Sequence, residues 1–368
     1  MKKLLLTLSI ASLLATKLFS QESVYTLNQY TPLLYDPSYA ALDNSASISF
    51  LNRSTKITSG ITYQHNIFNG EYPFIDKKTG KRFAGLGMYF SKKDAGLSDL
   101  LNATSLGLSF AYNLPVWKDQ YLSFGIQASY HNKQTSLENL TTGSQWLANE
   151  FRFDPNADLG ESFTQNRINY VGFNSGVTWY LEDKKHGWNK AFASVAAFNL
   201  NKPNDSFFED QSSIPIGFLA RTGALLYHTK RFHLTPQIFY QYENTNSSVN
   251  LLLSGKFLFD NNNPYDIIQT GSLELIARSN FSNEASIGIV LQQPGFSAGF
   301  SYHFPVAGET VNNFFQSGIE VGITLSRTVW RAKPTKIVIE STNIAPKRSF
   351  EFNQSTTPQG NTSSPVVT

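Results

Sequence analysis

The stretch Gly295–Phe304 alternates without a break. Phe296, Ala298, Phe300, Tyr302 and Phe304 fall on one side; Gly295, Ser297, Gly299, Ser301 and His303 fall on the other. A strand turns successive side chains to opposite faces, so this segment predicts a strand with one aromatic face and one small polar face. The pattern recurs. Leu106, Leu108, Phe110, Tyr112 and Leu114 oppose Ser105, Gly107, Ser109, Ala111 and Asn113. Leu122, Phe124, Ile126, Ala128 and Tyr130 oppose Ser123, Gly125, Gln127, Ser129 and His131. Val171, Phe173, Val177, Trp179 and Leu181 oppose Gly172, Asn174, Gly176, Thr178 and Tyr180. "HLTPQIFYQYE", "VNLLLSGKFLFD", "ASIGIVLQ" and "GIEVGITL" carry the same period with more noise, and turn signals such as "VWKDQ", "EDKKHG", "HTKR", "DNNNP" and "QQPG" stand between them. The pattern predicts an all-β chain of about fourteen strands, most reaching the roughly 9–11 tilted residues that cross a bilayer.

The polar face separates a barrel from a soluble sandwich or propeller. A sandwich meets water with Lys, Glu and Arg. Here the second face carries Gly, Ser, Asn, Thr and Gln, which suit a crowded, partly wet lumen, and only 15% of the chain is charged, against about a quarter in soluble domains. Tyr112, Trp117, Tyr121, Trp179, Tyr180, Tyr302 and Trp330 sit near predicted strand ends, as an interfacial girdle requires. The aromatic face is therefore expected to touch lipid, in a transmembrane antiparallel β-barrel over residues 45–330. The inward charges Arg221, Lys256, Glu274, Arg278 and Glu320 are expected to pair within the lumen. With a first strand near Ser45, the long connections Thr135–Asn169 and Lys202–Ile214 fall outside the cell, and "HTKR" and "QQPG" face the periplasm.

The two ends differ from the barrel. Residues 1–20 have a basic start, Met1-Lys2-Lys3, an apolar run from Leu4 to Leu14, and Ser20 before Gln21, which predicts an export signal cut after Ser20. The chain has no cysteine, so neither a lipoprotein anchor nor a disulfide is expected. Residues 21–44 include the aromatic, apolar stretch Tyr25–Leu42, which lacks period two. Pro32 and Pro37 bias Thr31 and Asp36 away from helical geometry. Free Tyr and Leu exposure is unfavourable, so this segment is expected to plug the lumen or cap its periplasmic mouth rather than serve as a loose lead-in. Residues 331–368 form a tail that opens basic, holds the β-like run Lys336–Ser341 and ends rich in Ser, Thr, Pro, Asn and Gln, a disordered composition.

Candidate chemistry is sparse. The six histidines, His65, His131, His186, His228, His233 and His303, lack metal-ligand spacing. Asp154, Asn156 and Asp158 alternate like the start of a calcium loop, but Leu159 stands where that loop needs Gly and Gln165 where it needs Glu, so a solvated acidic loop is the better reading. Asp76–Arg82 reads as a solvated turn beside lipid head groups. No catalytic residue, metal or cofactor is expected, and a net charge of +3 gives no reason to expect a nucleic-acid partner.

"LNQYTPLLYDPSYAAL" resembles the N-terminal signature of the PorP/SprF family, a Gln-Tyr followed by Asn-Pro-Ala-Tyr-Ala-Gly. Gln29, Tyr30, Pro37, Tyr39 and Ala40 match; Asp36, Ser38 and Ala41 depart from it. "NLNKPNDSFF" resembles the family's central motif through Asn199, Asn201, Pro203, Asn204, Ser206, Phe207 and Phe208. "AGFSYHF" and "GIEVGITL" resemble its last two strands, with Glu320 matching and Ile319 replacing a frequent His. The resemblance implies a non-enzymatic outer-membrane barrel of a Bacteroidota-type type IX secretion system. It also implies two partners, secreted proteins with a C-terminal sorting domain (gliding adhesins included) and a periplasmic peptidoglycan-binding protein. The plug or cap is expected to use Gln29, Tyr30, Pro32, Asp36, Pro37 and Tyr39, and the acidic loop with its adjacent Phe pair is expected to dock the cargo through Asn201, Pro203, Asn204, Ser206, Phe207 and Phe208. The alternative is a fatty-acid-like transport barrel, which also combines about fourteen strands with an N-terminal plug.

Overall fold

The alternating segments pair edge to edge until the sheet meets itself. The computed structural model describes residues 24–43, 45–58, 61–78, 80–96, 101–135, 143–154, 156–157, 166–183, 188–207, 212–243, 246–260, 270–280, 284–306 and 317–329. Strands β1 to β5 are Ser45–Thr58, Ile61–Ile75, Arg82–Ala95, Leu101–Trp117 and Gln120–Thr135. The two-residue strands β6, Trp146–Leu147, and β7, Arg152–Phe153, pair only with each other. Strands β8 to β10 are Arg167–Asp183, Trp188–Phe198 and Gly217–Ala224, and the short β11, Tyr227–His228, folds onto β12, Phe232–Glu243. Strands β13 to β17 are Asn246–Phe259, Gly271–Ser279, Glu284–Gln293, Phe296–Pro305 and Ser317–Thr328.

Fourteen of these form one antiparallel barrel. Neighbours follow chain order, β10 meets β12, and β17 returns to β1 from Ser45↔Thr328 to Lys56↔Ser317. Closure gives each of the fourteen strands a neighbour on both sides. Among the described residues no helix is long and apolar enough to cross a membrane, and the strands do the crossing. Phe300 is 47% exposed while its neighbour Ser301 is 0% exposed, and the same alternation runs along β4, β5 and β8. A closed barrel that turns Leu, Phe and Tyr outward and Ser, Asn and Gln inward has its oily surface on the side that meets lipid.

Two girdle assignments fail. Tyr121 and Tyr180 are buried and stack on each other inside the barrel, 5.2 Å between ring centres. Tyr180 shares the inward phase of Thr178, and its hydroxyl finds Asn113 and Arg82 there; the strand phase outweighs the interfacial preference of tyrosine. Tyr112, Trp117 and Tyr302 do face outward, whereas Trp330 lies outside the described residues.

The connections Thr135–Asn169 and Lys202–Ile214 leave the same rim, and the turns at "HTKR" and "QQPG" share the other. Loop length does not by itself mark the rim: only two residues join β1 to β2 and β12 to β13 at the rim that bears the long loops, whereas eleven join β13 to β14 at the opposite one. The described residues form one compact unit. The expected signal 1–20, the run Lys336–Ser341 and the rest of the tail lie outside the described residues.

Candidate functional site

The lumen is filled by the chain's own N-terminal segment. Val24–Ala41 is buried or half-buried except for Gln29. It takes three single 3₁₀ turns, Asn28–Tyr30, Pro32–Leu34 and Pro37–Tyr39. Pro32 and Pro37 open the second and third, and the preceding residues, Thr31 (φ −136°) and Asp36 (φ −162°), are non-helical, as the proline sterics require. Such turns leave backbone groups unpaired, and inward-facing wall side chains satisfy them. Asn69 donates to the Tyr30 carbonyl at 3.0 Å, Gln127 to that of Leu33 at 3.0 Å, and Ser123 to that of Ser38 at 2.7 Å. Arg82 donates to the carbonyls of Ala40 (3.2 Å) and Ala41 (2.6 Å). The wall is trimmed to admit the turns: a Cβ at Gly85 would strike the Ala40 carbonyl, and one at Gly125 the backbone at Pro37–Ser38.

Burial sets the electrostatics of this segment. Asp36 accepts from Ser38 N at 2.7 Å and from the Ser38 and Thr178 hydroxyls; desolvation still raises its carboxyl above the ordinary range, with those hydrogen bonds opposing. Burial likewise pushes the Tyr30 hydroxyl up to about 12, against a 2.8 Å hydrogen bond to Ser297.

Above the first turn lies a buried charge network. Glu320, fully buried, accepts from Leu27 N (2.9 Å), Thr26 N (3.3 Å) and Ser301 Oγ (3.0 Å), with His303 Nε2 at 2.9 Å and Arg53 at 3.7 Å. His303 Nδ1 meets Glu284 at 2.6 Å; Glu284 also pairs with Arg278 and with Arg53 at 3.2 Å. The five lumen charges expected to pair do not form one group. Glu320 and Arg278 belong to this network, and Lys256 pairs with Glu274 at 3.6 Å elsewhere on the wall. Arg221 holds Asn28 and Gln237 and lies over the rings of Tyr39, Phe192 and Phe239. Aromatic faces serve a guanidinium where a carboxylate was expected. Arg53 and Glu284 were not among the expected lumen charges, and His303 entered only as an inward-facing histidine, although a charge on the inward phase of a strand was a usable signal.

At the outer rim the segment after β9 folds back on the barrel. β8 rises past the end of β9, and the Asn201 side chain continues the ladder: its Oδ1 accepts from Phe173 N at 3.0 Å and its Nδ2 donates to the Val171 carbonyl at 2.7 Å. Buried Pro203 accepts from Ile214 N at 2.8 Å. Asn204 bridges Ser213, and its Oδ1 accepts from Ser206 N and Ser212 N. Lys133 of β5 binds Asp205 at 2.5 Å. These contacts bring Asn201, Pro203, Asn204 and Ser206 together as a structured loop beside half-buried Phe207; Phe208 lies outside the described residues. Under the loop is a cavity of about 440 Å³ floored by the plug's Tyr25 and Tyr35 and walled by Tyr89, His131 and Tyr170. Asp154 accepts from Asn156 N in a local turn, and Asp158 lies outside the described residues.

Residues 18–326 match the family described as type IX secretion system membrane protein PorP/SprF. The chain belongs to the PorP/SprF family. It is an outer-membrane protein of a Gram-negative bacterium, as that family and the closed barrel require. No curated relative matches it. Among solved structures it is similar to the Pseudomonas putida toluene transporter TodX (10% identity, 85% of this chain and 100% of that one, TM-score 0.47). It is also similar to a Pseudomonas aeruginosa FadL homologue (7%, 77% and 89%, 0.40) and to BamA from Haemophilus ducreyi (13%, 77% and 71%, 0.38).

In this PorP/SprF barrel four of the five matching residues of the N-terminal signature, Tyr30, Pro37, Tyr39 and Ala40, are buried, whereas Gln29 is exposed. Where the signature ends in glycine the chain has Ala41, whose φ is +51°. A Cβ is strained there. Ala41 N donates to Glu71 at 2.6 Å, and its carbonyl takes Arg82; glycine would keep both bonds. Ala41→Gly should therefore raise barrel stability, by up to about 1 kcal/mol, measured as a later heat-modifiable gel shift. A lower transition would mean that unfolded-chain entropy outweighs the strain.

Proposed function

We propose that this PorP/SprF barrel is a non-enzymatic docking component of the type IX secretion machinery. It holds secreted proteins that carry a C-terminal sorting domain at its outer mouth and meets a peptidoglycan-binding protein on the periplasmic side. The observation that carries this reading is the filled lumen. A barrel blocked by its own N-terminal segment offers a large cargo a surface rather than a passage. At the mouth the described part of the segment after β9 is pinned by Asn201, Asn204 and Lys133–Asp205. Asn204 and Asp205 hold the loop's shape, and Phe207 and Phe208 serve as the anchors, since buried aromatic residues dominate interface energetics.

Replacing Phe207 and Phe208 together by Ala should lower cargo at the cell surface more than tenfold, each ring giving up about 1.5–3 kcal/mol of apolar burial, while barrel abundance in the outer membrane stays near normal. Surface labelling of cargo beside a heat-modifiability gel measures both. Unchanged cargo display with normal barrel abundance would refute the assignment of docking to this loop, and loss of the barrel would place the pair in its core. The second reading, a small-molecule transport barrel, is favoured by the cavity above the plug, and solute uptake by the purified barrel in vesicles would support it over docking.

A further inference from the structure

The cavity beneath the loop that follows β9 has a charged corner. Lys93 of β3, Ala103 of β4 and Lys133 of β5 stand side by side in one row of the ladder, and all three line the cavity. With neighbouring strands about 4.8 Å apart, the two lysine backbones are about 10 Å apart. The small Ala103 between them leaves room for both long side chains to turn toward one anion. In the next row down, Ser105 holds His131 at 2.7 Å, and His131 stacks on Tyr170 with 4.7 Å between ring centres.

Away from this corner the lining changes. Leu34 of the plug, Phe198, Ile214 and Leu219 give an apolar surface, beside the rings of Tyr25 and Tyr35. A cationic end with an apolar and aromatic remainder fits an anion carried on an apolar body. Glu243 of β12, further round the wall, also lines the cavity, and its charge keeps an anion to the lysine side.

The chain already seats a carboxylate at this corner. Asp205 reaches down from the loop and meets Lys133 Nζ at 2.5 Å, and the two side chains are 28% (Lys133) and 26% (Asp205) exposed. Ion pairs open to water in this way add little stability, so an incoming carboxylate takes the place of Asp205 at small cost. Lys133 also lies over the Tyr170 ring, 5.4 Å from its centre, a contact that the exchange leaves in place.

We propose that this cavity binds a carboxylate carried on an apolar or aromatic body, with Lys133 and Lys93 as its partners and Asp205 as the built-in occupant that it displaces. The carboxylate belongs either to a small organic acid or to the C-terminus of a polypeptide, since the chemistry at the lysines is the same. The site is separate from docking at Phe207 and Phe208 and does not depend on it.

Isothermal titration of the purified full chain in non-ionic detergent tests this with two probes, phenylpropionate and the tripeptide Ala-Ala-Phe with a free C-terminus, each beside its amide. At least one acid should bind, about tenfold or more tighter than its amide. Lys133→Gln and Lys93→Gln should each weaken that binding by about tenfold. Asp205→Asn, which removes the competing carboxylate, should tighten it several-fold, and the heat-modifiable band should be unchanged in all three variants. Tighter binding of the tripeptide assigns the site to polypeptide C-termini, and tighter binding of phenylpropionate to small organic acids. Binding of neither acid, equal binding of acid and amide, unchanged binding in either lysine variant, or no tightening in Asp205→Asn would each overturn the proposal.

Discussion

Removing residues 24–42 should turn a closed barrel into a conducting one. In planar bilayers the full chain should show little current, and the shortened chain should show stepwise openings. The plug's turns occupy the space between strands on all sides: Asn28 is held by Arg221 of β10, Tyr30 by Asn69 of β2 and Ser297 of β16, and Ser38 by Ser123 of β5. Without them a fourteen-strand wall lined with Ser, Asn and Gln surrounds water. Deletion also strips partners from Glu320 and Arg82, so a milder variant is needed beside it. Gly125→Val sets a side chain against the backbone at Pro37–Ser38 while leaving the β4–β5–β8 ladder intact. It should give intermediate or flickering conductance with an unchanged heat-modifiable band. If both variants folded and conducted no more than the full chain, the segment would not be what closes the lumen.

Glu320→Ala should cost about 3–5 kcal/mol, the range for removing one partner of a buried ion pair. The carboxylate is the meeting point of two plug amides, Leu27 N and Thr26 N, with Ser301, His303 and Arg53. Its removal leaves Arg53 and His303 under-compensated beside Glu284 and frees the first turn of the plug. Glu320→Gln keeps the volume but turns an amide toward existing donors, so it should recover only part of the loss. Because the site is buried, added salt should change the result little. The heat-modifiability midpoint and protease access to residues near Tyr25 measure barrel and plug separately. A wild-type midpoint with a protected plug would show that this network holds neither.

Strand phase was legible residue by residue, because alternation is a local consequence of backbone geometry. Phe300 out and Ser301 in, Leu108 out and Ser109 in, follow without knowing any neighbour. The same rule should have overruled the girdle reading of Tyr180, which shares the phase of Thr178. The plug was legible in outline: apolar residues with no strand period need cover, and Pro32 and Pro37 mark where each new turn begins. In the central motif, Asn201 bonds the backbone of β8 and Asn204 that of its own loop, contacts that residue type alone does not announce. An Asn side chain that imitates a strand's amide and carbonyl cannot be told by sequence from one that faces a partner.

What the sequence by itself determined is the strand set, the lipid-facing and lumen-facing phases, and the family, all of which rest on patterns within a few residues of one another or on motif order. Only the tertiary structure decided which inward groups meet. Arg53 finds Glu284 across 231 positions, and Glu320 finds Leu27 across 293. Those meetings depend on the register with which β17 closes on β1 and on how far the plug threads inside, and no local preference encodes either.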